Sequence, residues 1–214
     1  MKALDHVTEI YHASVRLKHK DVVVYIDPFH VTKSYEDAEL IVITHAHGDH
    51  YSAEDVRKVM RDGTTFVAPL DVATKLQQDL NIRDEYIVTV QWNTPPVYFE
   101  DGVSVTPVIA ENKNHPIDIG IGAVIEINGF RFYFSGDTDI LAHDVKCDAV
   151  FIVCDGKYNM PEYETRAVEQ VLAMDTMPVI AVPYHYGYIE DTAQNGKKLA
   201  AALEKAGIPQ TLLY

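Results

Sequence analysis

Cysteine is scarce in this chain: there are two among 214 residues, Cys147 and Cys154, and no C-x-x-C pair. That excludes a disulfide-stapled scaffold, a four-cysteine zinc ribbon and a dithiol redox motif, and leaves two buried reduced thiols as the expectation. Basic residues are few as well. Eighteen Lys and Arg stand against 32 Asp and Glu, for a net charge of -14. A nucleic-acid backbone or an anionic membrane would be repelled at long range, so neither is expected as a partner. Anionic small molecules stay open, because bound divalent cations reverse the local field. No apolar run reaches membrane-spanning length, and the opening stretch MKALDHVTEIYH lacks the apolar core of an export signal. A cytoplasmic location is therefore the expectation. No G-x-S-x-G offers a serine nucleophile, and Gly120-Ile121-Gly122 lacks the third glycine of a phosphate-binding loop.

What the chain does have is a globular composition, 47% hydrophobic and 23% charged. At this length a single α/β domain over residues 1–214 is expected. The stretch SVRLKHKDVVVYID reads as a hairpin ending at Asp27, and LIVIT, Leu40 to Thr44, as a short buried strand. Ser52 is placed to cap a helix, with Asp55 three residues on and Val56, Val59 and Met60 along one face. TTFVAPLDVATKLQQDL follows as strand, turn and helix, and VSVTPVIA as a further strand. Asn128-Gly129 between two alternating apolar runs predicts a tight hairpin. Asp148 to Cys154 reads as a buried strand. Glu162 to Met174 reads as a helix with Ala167, Val168, Val171 and Leu172 inward. PVIAVPYH is a strand ending near His185, and TAQNGKKLAAALEKAG a helix closed by Gly207.

Residues 44 to 50, THAHGDH, crowd three of the ten histidines and an aspartate into one turn. His45 and His47, one residue apart, can converge on one ion through neutral ring nitrogens. Asp49 and His50 diverge from that pair towards a second ion, and Gly48 is expected to provide the sharp turn between the pairs. Four such donors cannot be stripped of water without partners. Asp27, this cluster, Asp137 and His185 each follow the end of a predicted strand, where an α/β scaffold places its site. His6, His19 and His30 read as surface or core residues, and His143 as a surface residue or one behind the site. Tyr158, Tyr184 and Tyr186 read as packing residues or pocket lining.

Taken together, IDPF at Ile26–Phe29, THAHGDH, SGDTD at Ser135–Asp139 and VPYHYG at Val182–Gly187 resemble, in order and spacing, the motifs of the metallo-β-lactamase superfamily. YHASVRL with His12, the stretch from Ala110 to Asp139, and YNM at Tyr158–Met160 resemble its small UlaG-like branch of metal-dependent hydrolases, which includes an ascorbate-6-phosphate lactonase. The resemblance implies a four-layer αββα sandwich of two mixed sheets with metals at one edge. It implies His45, His47, Asp49, His50, Asp137 and His185 as ligands, with Asp137 between two ions. Asp27 is expected to back a ligand imidazole, with His12 also behind the ligands. Asp49 and Asp137 are the expected catalytic carboxylates.

One departure stands out. Where the superfamily has its third-motif histidine, this chain has Asn112, and His115 follows three residues later, before Pro116. Either His115 completes the first metal site with Asn112 as its hydrogen-bond partner, or that site has two firm ligands, or it stays empty. Histidine and carboxylate donors without cysteine suit one or two ions of Zn, Mn, Fe or Ni. The expected activity is hydrolysis of a small ester, lactone or phosphoester, with a small molecule as partner and a homo-oligomer compatible with the sequence. The alternative is a metal- or ligand-binding protein that keeps the fold without turnover.

Overall fold

A computed structural model describes residues 3–214. Met1 and Lys2 of the opening stretch read above for an export signal lie outside the described residues. The chain forms two compact units, residues 1–91 and 92–214.

The first unit is a six-stranded sheet whose strands lie in chain order: β1 (Val7–Tyr11), β2 (Ser14–His19), β3 (Val22–Ile26), β4 (Ala38–Val42), β5 (Met60–Ala68) and β6 (Ile87–Thr89). β1 to β3 pair antiparallel, and β3 to β6 pair parallel. Two helices, α1 (Ala53–Val59) and α2 (Leu70–Leu80), cross between the later strands. One sheet face buries Tyr25, Ile41 and Phe66 in a cluster with Val56, Val59, Val72 and Leu76 of the helices. The alternate residues Val24, Ile26, Leu40, Val42 and Val67 are buried as well. Burial on both faces explains why VVVYI and LIVI read as unbroken apolar runs. Ser52 caps α1 as expected, its hydroxyl accepting from Asp55 N at 3.2 Å. Met60 does not join the helix face. It has extended backbone and opens β5.

The second unit repeats this plan. Its strands are β7 (Val97–Tyr98), β8 (Ser104–Ala110), β9 (Gly120–Ile127), β10 (Phe130–Phe134), β11 (Ala149–Val153) and β12 (Ile180–Tyr184), again in chain order. β7 to β10 pair antiparallel and β10 to β12 parallel. The β9–β10 hairpin turns at Asn128 and Gly129, both with positive φ, as that dipeptide predicts. Helix α3 (Tyr163–Leu172) buries Tyr163, Ala167 and Val171, a four-residue repeat. Leu172 falls off that stripe and is 51% exposed, against the inward placement expected for it. Helix α4 (Asn195–Lys205) starts later than the sequence pattern suggested, with Thr192 to Gln194 outside it, and ends ahead of Gly207 at φ 75°. Both cysteines are buried and free, and burial pushes the Cys147 thiol up to about 12. Among the described residues no helix is long and apolar enough to cross a membrane.

In each sheet the registers bring the functional loops to one edge. In the first, Tyr11 opposes Ser14, Val15 opposes Ile26, and Ile26 opposes Val42, so the loops holding His12, Asp27 and residues 44–50 adjoin. In the second, Ala110 opposes Gly120, Ala123 opposes Phe134, Phe134 opposes Phe151, and Val153 opposes Tyr184. The loops holding Asn112 and His115, Asp137, Asp155 and His185 therefore share an edge.

Candidate metal centre

In the first unit the loop after β4 is wound tightly, with His47 O accepting from both His50 N (3.0 Å) and Tyr51 N (2.8 Å). Gly48 is not what permits this. Its φ is not in the left-handed region, and an added Cβ would meet nothing within 4 Å. The helical-type hydrogen bonds to His47 O make the turn instead.

Asp27 organises the loop. Its carboxylate accepts from Thr44 N and from Thr44 Oγ1, both at 2.7 Å, and lies 2.7 Å from His50 Nδ1. The anion fixes the proton of His50 on Nδ1, leaving Nε2 as the ligand nitrogen. Thr44 has given its proton to Asp27, so its oxygen accepts from His45 Nδ1 at 3.0 Å and sets the same tautomer there. One donor atom each from His12, Asp49 and His50 lie within 4.8 Å of one another, and so do those of His45 and His47. His12 is buried, and its Nε2 sits 3.1 Å from Asp49 Oδ2. Its ring is thereby tied to Asp49.

In the second unit Asp137 and His185 are both buried, with His185 Nε2 3.0 Å from Asp137 Oδ1. His115 is also buried, and it and Asp137 offer donor atoms within 4.8 Å of each other. Asn112 is otherwise employed. Its Oδ1 accepts from Asn114 N (2.6 Å) and His115 N (2.9 Å), an Asx turn that shapes the loop. Its Nδ2 reaches Asp137 O at 3.0 Å, Asn159 Oδ1 at 2.5 Å and His115 Nδ1 at 2.9 Å. With its oxygen taken by two backbone donors, Asn112 holds the His115 loop in place and turns its NH2 to His115 Nδ1.

Several of these residues stand on uncommon backbone. His12, Asp27 and His185 have φ of 54°, 44° and 60°. Each such non-glycine residue costs about 1–3 kcal/mol, tolerated where the surroundings dictate the geometry. Gly136, before Asp137, has φ 64° and is packed hard: a Cβ there would lie 2.5 Å from Ile121 O. Gly136→Ala is therefore expected to destabilise the fold by about 3 kcal/mol, read as a lowered urea midpoint.

Sequence reasoning missed Asp155, Asn159 and Thr44. Asp155 is separated from the end of β11 by one residue, Cys154, close to the strand-end signal that marked Asp27 and Asp137. Tyr184 and Tyr186 prove to be packing residues. Tyr184 is buried with its hydroxyl accepting from Gly136 N at 2.9 Å, and Tyr186 stacks on Tyr214 at 4.5 Å. Tyr158 is exposed. His143 is exposed too, His6 is buried 3.0 Å from Lys18 O, and neither joins a donor set.

Residues 20–186 match the Beta-lactamase superfamily domain family, and the chain belongs to it. Among its relatives, a UPF0173 metal-dependent hydrolase from Thermococcus onnurineus is 32% identical over 162 residues, 70% of this chain and 67% of that protein. A solved Parabacteroides distasonis structure assigned as a metal-dependent hydrolase superposes with a TM-score of 0.78 at 26% identity, covering 96% of this chain and 91% of that one. The metallo hydrolase Igni18 from Ignicoccus hospitalis shares the fold, with a TM-score of 0.77 at 21% identity over 97% and 94% of the two chains. The fold is that of the metallo-β-lactamases, and the protein is an enzyme of the metal-dependent hydrolase class.

The donor chemistry fits a divalent transition metal. Imidazole nitrogens and carboxylate oxygens converge in both units, and in the first unit the two tautomers are set by Asp27 and Thr44 so that Nε2 is presented.

Proposed function

We propose that this protein hydrolyses a small ester, lactone or phosphoester using one or two divalent ions of Zn, Mn, Fe or Ni. His45, His47, Asp49, His50, His115, Asp137 and His185 are the ligands in this reading, and the two units act as one functional domain. The family match over residues 20–186, which includes residues of both units, supports assigning both donor sets to one activity. The observation that carries the reading is the backed convergence itself: His12, Asp49 and His50 within 4.8 Å in one unit, with Asp27 behind His50.

A bound divalent ion would polarise the substrate oxygen and lower the pKa of water far enough to make hydroxide available at neutral pH. The chain's own residues supply orientation. His12 holds Asp49 Oδ2, so that Asp49 is fixed to orient the attacking water. Asp137, beside His185, provides the negative charge that holds cations in place. The rival reading, binding without turnover, rested on Asn112 replacing a ligand. In this reading the Asx turn occupies the Asn112 oxygen and His115 takes the ligand position, so the change at Asn112 speaks less for the rival.

The test is a screen of metal-loaded protein against carboxylic esters, lactones, phosphodiesters and thioesters. Turnover of none of them by protein that binds metal stoichiometrically would favour the binding reading. A variant pair tests the ligand assignment. His115→Ala is expected to weaken one ion by more than about a hundredfold. Asn112→Ala, which loosens only the loop behind it, is expected to cost about tenfold. Chelator competition measures both, and equal metal content and activity in His115→Ala would remove it from the ligand set.

A further inference from the structure

Asp27 has a counterpart in the second unit. Asp155 follows β11 as Asp27 follows β3, and His185 follows β12, the parallel neighbour of β11, as the loop of His50 follows β4, the parallel neighbour of β3. Asp155 Oδ2 lies 3.4 Å from His185 Nδ1, on the opposite side of the ring from Asp137 at Nε2. We propose that Asp155 is the positioning carboxylate of this unit, holding the His185 proton on Nδ1 so that Nε2 is presented beside Asp137.

Asp155 is built for this. It is buried, and both of its oxygens face donors. Oδ1 accepts from the N–H groups of Lys157 (2.9 Å), Tyr158 (2.7 Å) and Asn159 (3.2 Å). Oδ2 accepts from Asn159 Nδ2 at 2.7 Å and keeps a second lone pair for His185. The backbone beneath is clamped from α4, with Asn195 Nδ2 donating to Cys154 O (3.0 Å) and Asp155 O (2.7 Å). The carboxylate therefore has little freedom to turn away. Asn159 Oδ1 in turn accepts from Asn112 Nδ2. Hydrogen bonds thus link Asp155, Asn159 and Asn112 to the turn that carries His115, with the His185 ring 3.4 Å beyond Asp155.

The proposal rests on the hydrolase reading for its metal but not for its proton. Asp155→Asn separates it from a purely loop-capping role. The amide oxygen can still accept the three backbone N–H groups, whereas an NH2 in place of Oδ2 offers His185 Nδ1 a donor where it needs an acceptor. Zinc affinity is expected to fall about 10- to 100-fold in chelator competition. The hydrogen-bonded Nδ1–H resonance of His185 in the zinc-loaded, 15N-histidine-labelled protein is expected to disappear, while the circular dichroism of the metal-free protein stays unchanged. Unaltered zinc affinity with the Nδ1–H signal retained would overturn the proposal and leave Asp155 a loop cap. Should wild-type protein take up no zinc, the hydrolase reading fails by itself. The Nδ1–H signal of metal-free wild type against Asp155→Asn then decides the positioning role alone. If Asp155→Asn does not fold, Asn159→Ala removes one donor and the link to Asn112. It is expected to cost a few-fold in zinc affinity, and no loss there overturns the proposal.

Discussion

Dialysis against a strong chelator is expected to abolish hydrolysis while both sheets stay folded. The donors sit on loops at one edge of each sheet, whereas the core below them is apolar: Val24, Ile26, Leu40 and Val42 in one unit, Phe132, Phe134 and Phe151 in the other. Burying each such side chain contributes about 1.5–3 kcal/mol independently of any ion. Losing a single electrostatic stabiliser costs an enzyme about 10^2–10^3 in kcat, and stripping the centre removes several together, so the loss should exceed a thousandfold. Adding back Zn or Mn should restore turnover. The loaded protein should also melt higher, gaining about 2.7 kcal/mol when the free ion is at 100 times its Kd. Full activity after verified removal of metal would end the metal-dependent reading.

Asp137→Asn is the second large effect, expected to reduce kcat by about 10^3. The buried carboxylate supplies a negative charge beside His185, and the amide supplies none. The core beneath it is apolar, so the apparent melting temperature of the metal-free variant should stay within a few degrees of wild type. Its metal content should drop towards one ion. Steady-state kinetics with elemental analysis checks both, and undiminished turnover would make Asp137 a residue of the turn only.

The parts of the centre legible in the sequence were those next to apolar runs. Asp27, residues 45–50, Asp137 and His185 all follow such a run, and strand ends can be read locally. His12 was legible as a histidine but not in its role. Its partner Asp49 lies far along the chain, and the contact exists only because the loops after β1 and β4 reach one edge of the sheet. Asp155 carried a similar local signal to Asp27, but the nearby cysteine and tyrosines drew the reading away. Backbone conformation was not legible at all. Gly48 drew notice and has ordinary torsions, while the constrained glycine is Gly136, whose neighbour Ile121 O belongs to another strand. Leu172 misled for a simpler reason: next to Val171, it has the right chemistry on the wrong helical phase.

In both sheets the spatial order of strands is the order of the chain. Every ladder therefore joins strands that are consecutive in sequence, and no strand must wait for a distant segment before it can pair. Short contact separations lower the entropy of loop closure that precedes each pairing, which speeds folding. Each sheet can grow by adding the next strand as it emerges during synthesis, without a partner from the far end of the chain. The loops carrying the donor residues are drawn to their edge as a by-product of that growth. Refolding from denaturant should accordingly proceed at the same rate with or without metal in solution, the ion being captured after the slow step and not during it.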